Sequence, residues 1–416
     1  MKNHNNIGLY LTNTSNKNLL LKQIMKNEFF CNHIDLSHLS GVLFSTITID
    51  RYKEDELHHD RFVITTDENS GLTSMSSGQQ KKALLLYQIS QKPQFMILDD
   101  VYSNIDRETQ EFITDEFTRL SDSTLLIQLF FRKRDMLPCI DTVFTINENN
   151  EIVNEQDALT FSNSKSKTAI NTHRFSLPTG YNEKNIDINP LIQLNSVSVR
   201  YGDKEVLDNL SWTIQQGEFW QLAGPNGSGK STLLSMIIGD NPRGYGQDMI
   251  LFGRKKGSGE SIWDIKRQIG YFTPAMIEQF TRVDTVENMI ISGLNDSVGL
   301  YTIPTDMQKD IAKIWIDSLG LTYRNRTFQS LSLGQQRMVM VARAMVKYPP
   351  LLILDEPTIE LDDENSRLFI EMVNAIATEK KIAIIYVSHR EEQNLNPDNV
   401  FELILTEKGY TGVVRN

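Results

Sequence analysis

The segment Gly224-Pro225-Asn226-Gly227-Ser228-Gly229-Lys230-Ser231-Thr232 constrains this chain most. Residues 218–223 (EFWQLA) read as a short strand before it, and residues 233–238 as an apolar, helix-like run after it. A G-x-x-x-x-G-K-[ST] loop between a strand and a helix is a phosphate cradle. Its glycines let backbone N–H groups close around phosphate oxygens without Cβ clashes, and the helix adds its positive N-terminal end. On this reading Gly224, Asn226, Gly227, Ser228, Gly229, Lys230, Ser231 and Thr232 line a nucleotide site. Lys230 reaches the β- and γ-phosphates, and Ser231 offers its hydroxyl to Mg²⁺.

A second run, Leu351-Leu352-Ile353-Leu354-Asp355-Glu356-Pro357, reads as a buried strand ending in two acids. Asp355 is placed to hold the metal, and Glu356 to orient an attacking water as general base. Between loop and strand lies Leu331-Ser332-Leu333-Gly334-Gln335-Gln336-Arg337, and beyond them come Glu360-Leu361-Asp362 and Ser388-His389. Phosphate loop, LS-x-GQ, ILDEP, L-D and SH in this order resemble an ATP-binding-cassette (ABC) ATPase. The resemblance implies MgATP hydrolysis, with Asp355 and Ser231 holding Mg²⁺, Glu356 as the water-orienting base and His389 sensing the γ-phosphate. It also implies that Tyr201, 29 residues before Lys230, stacks on adenine. One departure stands out. The glutamine that the family carries after Ile269-Gly270-Tyr271 is missing, since the chain continues Phe272-Thr273-Pro274. That glutamine touches the metal or the attacking water and relays motion to a membrane partner.

The first half reads as a worn repeat of the second. Met75-Ser76-Ser77-Gly78-Gln79-Gln80 matches the signature, and residues 95–100 (FMILDD) match the acid-tipped strand. Gly78 to Asp99 spans 21 residues, as does Gly334 to Asp355; Asp99 to Asp106 spans 7, as does Asp355 to Asp362. The nucleotide-holding parts are eroded. Thr12-Asn13-Thr14-Ser15-Asn16-Lys17-Asn18 stands in the place of the phosphate loop, keeping the lysine without the glycines. Asp100 replaces the catalytic glutamate, and Phe131 the switch histidine. ABC cassettes work in head-to-tail pairs, the signature of one closing over ATP held by the other. The expectation is therefore intramolecular pairing, with one working site joining the Lys230 loop to the signature Ser76, Ser77, Gly78 and Gln79.

Residues 239–246 (GDNPRGYG) and 251–266 narrow the resemblance to the ModF-type tandem ATP-binding proteins, described as molybdate-transport or photorepair proteins. The expected fold is α/β: two RecA-like cassettes in tandem over 1–162 and 190–416, the first truncated and degenerate, joined by a polar linker over 163–189. The sheets are expected to be mostly parallel.

Composition bounds the partners. With 42 basic and 53 acidic residues the net charge is −11, and both halves are acidic. A nucleic-acid backbone is therefore not an expected partner. No 18-residue apolar window or signal peptide is evident, and two cysteines without metal or redox spacing suit a reducing compartment. The expected location is the cytoplasm, peripheral to the inner face of the membrane if a permease partner exists. Three tasks fit: the energy subunit of a transporter with separate membrane proteins, a soluble mechanochemical or regulatory ATPase, and a low-turnover nucleotide sensor. The missing glutamine counts against ordinary transport. So does the short helical segment of the first half, with 61 residues from Lys17 to Gly78 against 104 from Lys230 to Gly334.

Overall fold

Short runs of apolar residues build the sheet centres. Strands Phe95–Asp99 and Leu125–Phe130 are buried along their whole length, as expected of parallel strands covered on both faces. The computed structural model describes residues 5–29, 35–59, 62–64, 71–103, 105–164, 175, 178, 188–321, 325–388 and 392–415. The chain divides into two compact units, Met1–Ala169 with Glu360–Asp363, and Ile170–Ile359 with Glu364–Asn416. Most of the segment expected as a linker lies outside the described residues.

The first unit holds a six-stranded sheet in the order Gly41–Phe44, Phe95–Asp99, Leu125–Phe130, Ile7–Tyr10, Thr142–Ile146, Ile152–Asp157. Only the last strand runs antiparallel to its neighbour. Successive strand residues alternate between two cores. Ile97, Ile127 and Leu9 pack with Leu20 and Ile24 of helix Lys17–Met25, while Met96, Leu98 and Leu126 pack with Leu84 and Phe117. Each large side chain so buried contributes about 1.5–3 kcal/mol.

The second unit carries a ten-stranded sheet. Its parallel part runs Ile269–Phe272, Leu351–Asp355, Ala383–Val387, Phe219–Ala223, Asn399–Leu405. Most pairings in the two sheets are parallel, as expected, but the rest of this sheet mixes directions. Ile192–Tyr201 and Lys204–Ile214 form an antiparallel hairpin, and Asp248–Leu251 pairs antiparallel with the first of these. The cause is local: Tyr201 pairs with Lys204 across the two-residue turn Gly202-Asp203, with Gly202 at φ 59°. Helices Val286–Ser292, Asp306–Ser318 and Leu333–Met345 add a helical part. No helix among the described residues is long and apolar enough to cross a membrane.

Candidate functional site

Parallel strands bring one set of the second unit's motifs to a single sheet edge. Strand Phe219–Ala223 pairs with Ala383–Val387, which pairs with Leu351–Asp355, all pointing the same way. The loop after Ala223, the acids Asp355 and Glu356, and Ser388 therefore lie at the carboxyl ends of adjacent strands, where open α/β sheets bind ligands. His389 lies outside the described residues, as does Asn104, which opens Asn104-Ile105-Asp106, the first unit's counterpart of Glu360-Leu361-Asp362.

The Gly224–Thr232 segment needs its glycines. Gly224, Gly227 and Gly229 have φ of 148°, 75° and 94°, a region that L side chains avoid. A Cβ on Gly229 would also come within 2.7 Å of Leu207 and 2.9 Å of Val206. Helix Lys230–Ile238 starts directly after it, so its first-turn amides, without intrahelical acceptors, face the loop. Ser228 Oγ is wholly buried with no hydrogen-bond partner among the described residues. Lys230 is 7% exposed, and its ammonium donates to the carbonyls of Gly224 at 2.7 Å and Pro225 at 2.8 Å. Burial pushes it down to about 8, against the opposing pull of Glu356 and Asp355. Ser231 is exposed and Thr232 half-buried in the first helical turn, and Asn226 lies in the loop.

Glu356 sits at φ 51°, its amide donating to Val387 O at 3.0 Å. Left-handed backbone at a non-glycine residue costs about 1–3 kcal/mol and gathers at functional positions. Asp355 ends its strand half-buried, and the Tyr271 hydroxyl donates to its Oδ2 at 3.4 Å. Burial, helped by Asp355, raises the Tyr271 phenol's pKa, so it remains a proton donor. Sequence reasoning passed over Tyr271, because only the parallel pairing of Ile269–Phe272 with Leu351–Asp355 brings the two together. A serine hydroxyl and one carboxylate are hard oxygen donors that fit Mg²⁺, which takes one or two protein oxygens and completes its shell with water and phosphate. No cluster of three or more His, Cys, Asp or Glu suited to a metal occurs among the described residues, and MgATP needs none.

Tyr201 ends strand Ile192–Tyr201 and is 43% exposed. Asn241 and Arg243, which sequence reasoning did not place at the site, both touch it.

The first unit repeats several of these devices. Ser76 caps helix Ser77–Ser90 in a capping box with Gln79, as Ser332 does with Gln335 on helix Leu333–Met345. Gln80 donates to Leu72 O at 2.8 Å and Gln336 to Phe328 O at 3.2 Å, each eight residues back. Lys81 and Arg337, both buried, tie their signature helices to the turn after the acid-tipped strand, Lys81 through Asp100 O and Val101 O, Arg337 through Pro357 O. Asp100 takes φ 56°, matching Glu356. Ser77 is half-buried and Gly78 buried in the first turn of their helix.

The Thr12–Lys17 loop differs. None of its residues has positive φ. Several of its amides are engaged within the unit: Thr12 N on Ser15 Oγ, Ser15 N on Thr12 O and Asn16 N on Asn150 Oδ1. The Lys17 ammonium lies 3.1 Å from Asp99 Oδ1, a carboxylate that also accepts from Ser45 Oγ at 3.0 Å. Burial opposes the Lys17 charge, but Asp99 and Asp100 outweigh it and raise the pKa.

The family model described as ABC transporter matches residues 207–359. The ABC transporter ATP-binding protein ModF of Escherichia coli is 35% identical over 352 residues, covering 80% of this chain and 70% of ModF. An uncharacterized ABC transporter ATP-binding protein of Schizosaccharomyces pombe is 29% identical over 338 residues, covering 78% of this chain and 66% of the relative. Among solved structures, an archaeal ribosome recycling factor in complex with a ribosomal stalk protein matches with a TM-score of 0.60 at 15% identity, covering 98% of this chain and 84% of that one. At that identity the likeness is one of fold.

Proposed function

The chain belongs to the ABC transporter ATP-binding proteins, ATP hydrolases of mixed α/β cassette fold, and from that premise we propose that it is a tandem of two cassettes, 1–162 and 190–416, with one working MgATP site. That site uses Lys230 and the Gly224–Thr232 amides for the phosphates, Ser231 and Asp355 for Mg²⁺, Glu356 as the base, His389 as the γ-phosphate sensor and Tyr201 for the base. Ser76, Ser77, Gly78 and Gln79 of the degenerate cassette complete it. ATP draws the halves together and hydrolysis releases them, a population shift driven by contacts to the γ-phosphate.

One observation carries this reading. The Lys230 loop has left-handed glycines and an orphaned buried hydroxyl, whereas the Thr12–Lys17 loop has no left-handed residue, and its lysine is paired to Asp99. A lysine already held by a carboxylate has less positive charge to offer a phosphate. Equilibrium dialysis with MgATP should accordingly find one tight site per chain; two equivalent sites would refute the degenerate first cassette.

A second measurement reads Lys230 itself. Burial pushes its ammonium down to about 8, and adjacent phosphate oxygens favour the charged form. The bound state therefore holds more protons than the free state at and above pH 8. MgATP binding should take up a fraction of a proton per site at pH 8 and less at pH 6.5. Calorimetry in buffers of contrasting ionisation enthalpy measures this, and equal uptake at both pH values would remove Lys230 from the phosphates.

The work of closure goes to a separate partner. The naming of the relatives as ABC transporter proteins makes a membrane permease the first candidate. Recovery of the chain with an integral membrane protein supports it, and recovery solely from soluble assemblies favours a regulatory or mechanochemical ATPase.

A further inference from the structure

The segment Gly239-Asp240-Asn241-Pro242-Arg243-Gly244-Tyr245-Gly246 directly follows the phosphate-loop helix, and the proposed reaction gives it no task. It is built around Tyr201. The Asn241 side-chain amide donates to the Tyr201 hydroxyl at 2.9 Å and to Ser235 Oγ at 3.1 Å. Ser235 lies on helix Lys230–Ile238, so one NH₂ group ties the ring to the helix that begins at Lys230. Asn241 Oδ1 accepts from the Arg243 amide at 3.0 Å and caps the 3₁₀ turn Pro242–Gly244. That turn lays the Arg243 guanidinium over the Tyr201 ring, 5.2 Å from its centroid. The segment is pinned at two further points, by an Asp240–Lys266 ion pair at 2.7 Å and by the Lys256 ammonium 4.8 Å above the Tyr245 ring. Despite these contacts, 43% of Tyr201 stays exposed.

We propose that Asn241 and Arg243 set the platform for the purine base of the nucleoside triphosphate, a role resting on the assignment of Tyr201 as the base-stacking residue. Asn241 is a positioning residue that fixes the ring relative to the phosphate-loop helix. Arg243 is the cation backing the ring. A ring held before the ligand arrives loses less rotational freedom on binding. A guanidinium on one face draws on the ring's π-electrons, which favours stacking of an electron-rich purine on the other. The distance from base platform to phosphate loop is thereby built into one side-chain amide.

The test compares Asn241→Ala, Arg243→Gln and Tyr201→Ala for binding of MgATP and of inorganic tripolyphosphate, which has the phosphates and no base. Tyr201→Ala should weaken MgATP about tenfold or more. Arg243→Gln and Asn241→Ala should each weaken it about two- to fivefold, raising KM with kcat near parental. Tripolyphosphate affinity should stay parental in all three, and Asn241→Ala added to Tyr201→Ala should cost nothing further. Loss of tripolyphosphate affinity in Asn241→Ala would place its effect on the phosphate loop through Ser235 and overturn the inference. If Tyr201→Ala binds MgATP like the parent, the base-stacking assignment itself falls. If Tyr201→Ala is weak while Asn241→Ala and Arg243→Gln are parental, that assignment stands and this inference fails.

Discussion

Glu356→Gln should bind MgATP with parental affinity and hydrolyse it roughly 10²-fold or more slowly, the scale of a lost general base. Glutamine keeps the shape of the side chain and removes only the carboxylate. The backbone that aims it, at φ 51° and hydrogen-bonded to Val387 O at 3.0 Å, is unchanged by the substitution. Asp355 and Lys230 are untouched, so binding and turnover should separate. The internal control is Asp100→Asn. Asp100 has the same left-handed backbone at φ 56°, but its shorter carboxylate accepts from Ser103 Oγ at 2.6 Å within its own turn. Turnover in that variant should stay within about twofold of parental, since Asp100 lies outside the proposed working site and asparagine keeps an acceptor for Ser103 Oγ. Phosphate release at saturating MgATP measures both. Parental turnover in Glu356→Gln would remove it as the base, and a collapse in Asp100→Asn would make the first cassette a hydrolytic site.

What could be read from the residues alone, and what could not, follows from how local each signal is. The phosphate loop was legible because its chemistry is contiguous: three left-handed glycines and a lysine at the start of a helix lie within seven residues. The signature repeat was legible as spacing, and the structure adds shared side-chain bonds from Gln80 and Gln336 at the same eight-residue offset. The hairpin Ile192–Tyr201 and Lys204–Ile214 went unread although its Gly202-Asp203 turn and alternating burial are hairpin signals. Nearby parallel-type runs dominated the pattern. Lys81 and Arg337 could not have been picked out as buried, because a cation in a helix reads as surface until the carbonyls it reaches are known. Tyr271 and Asn241 were invisible for a related reason. Their partners, Asp355 and Tyr201, lie 84 and 40 residues away and meet them only through tertiary structure.

The largest asymmetry is expected between the two signatures. Gly78→Asp should lower ATPase activity roughly 10²-fold or more, the scale of losing an electrostatic contact to the reacting group, although every residue of the Lys230 loop is unchanged. Gly78 is buried, so an added carboxylate carries a desolvation cost, and Tm is measured beside activity. Gly78 is in the first turn of helix Ser77–Ser90, where an acidic side chain complements the helix dipole. A Cβ there would meet Thr109 Oγ1 at 3.1 Å, a contact a small hydroxyl shift relieves. The mirrored change is a poor control, because a Cβ on Gly334 would collide with the Asn365 side chain. The serines give a matched pair instead. Ser76 and Ser332 are both N-caps in capping boxes with the glutamine three residues on, so Ser76→Ala and Ser332→Ala should each cost about 1 kcal/mol of stability. Equal shifts in Tm then leave activity as the discriminating readout. If the first cassette's signature completes the Lys230 site, Ser76→Ala slows hydrolysis about tenfold or more, while Ser332→Ala, serving the degenerate loop, stays near parental. The reverse order would mean that the intact cassette hydrolyses ATP against a second copy of itself, and that intramolecular pairing does not build the site.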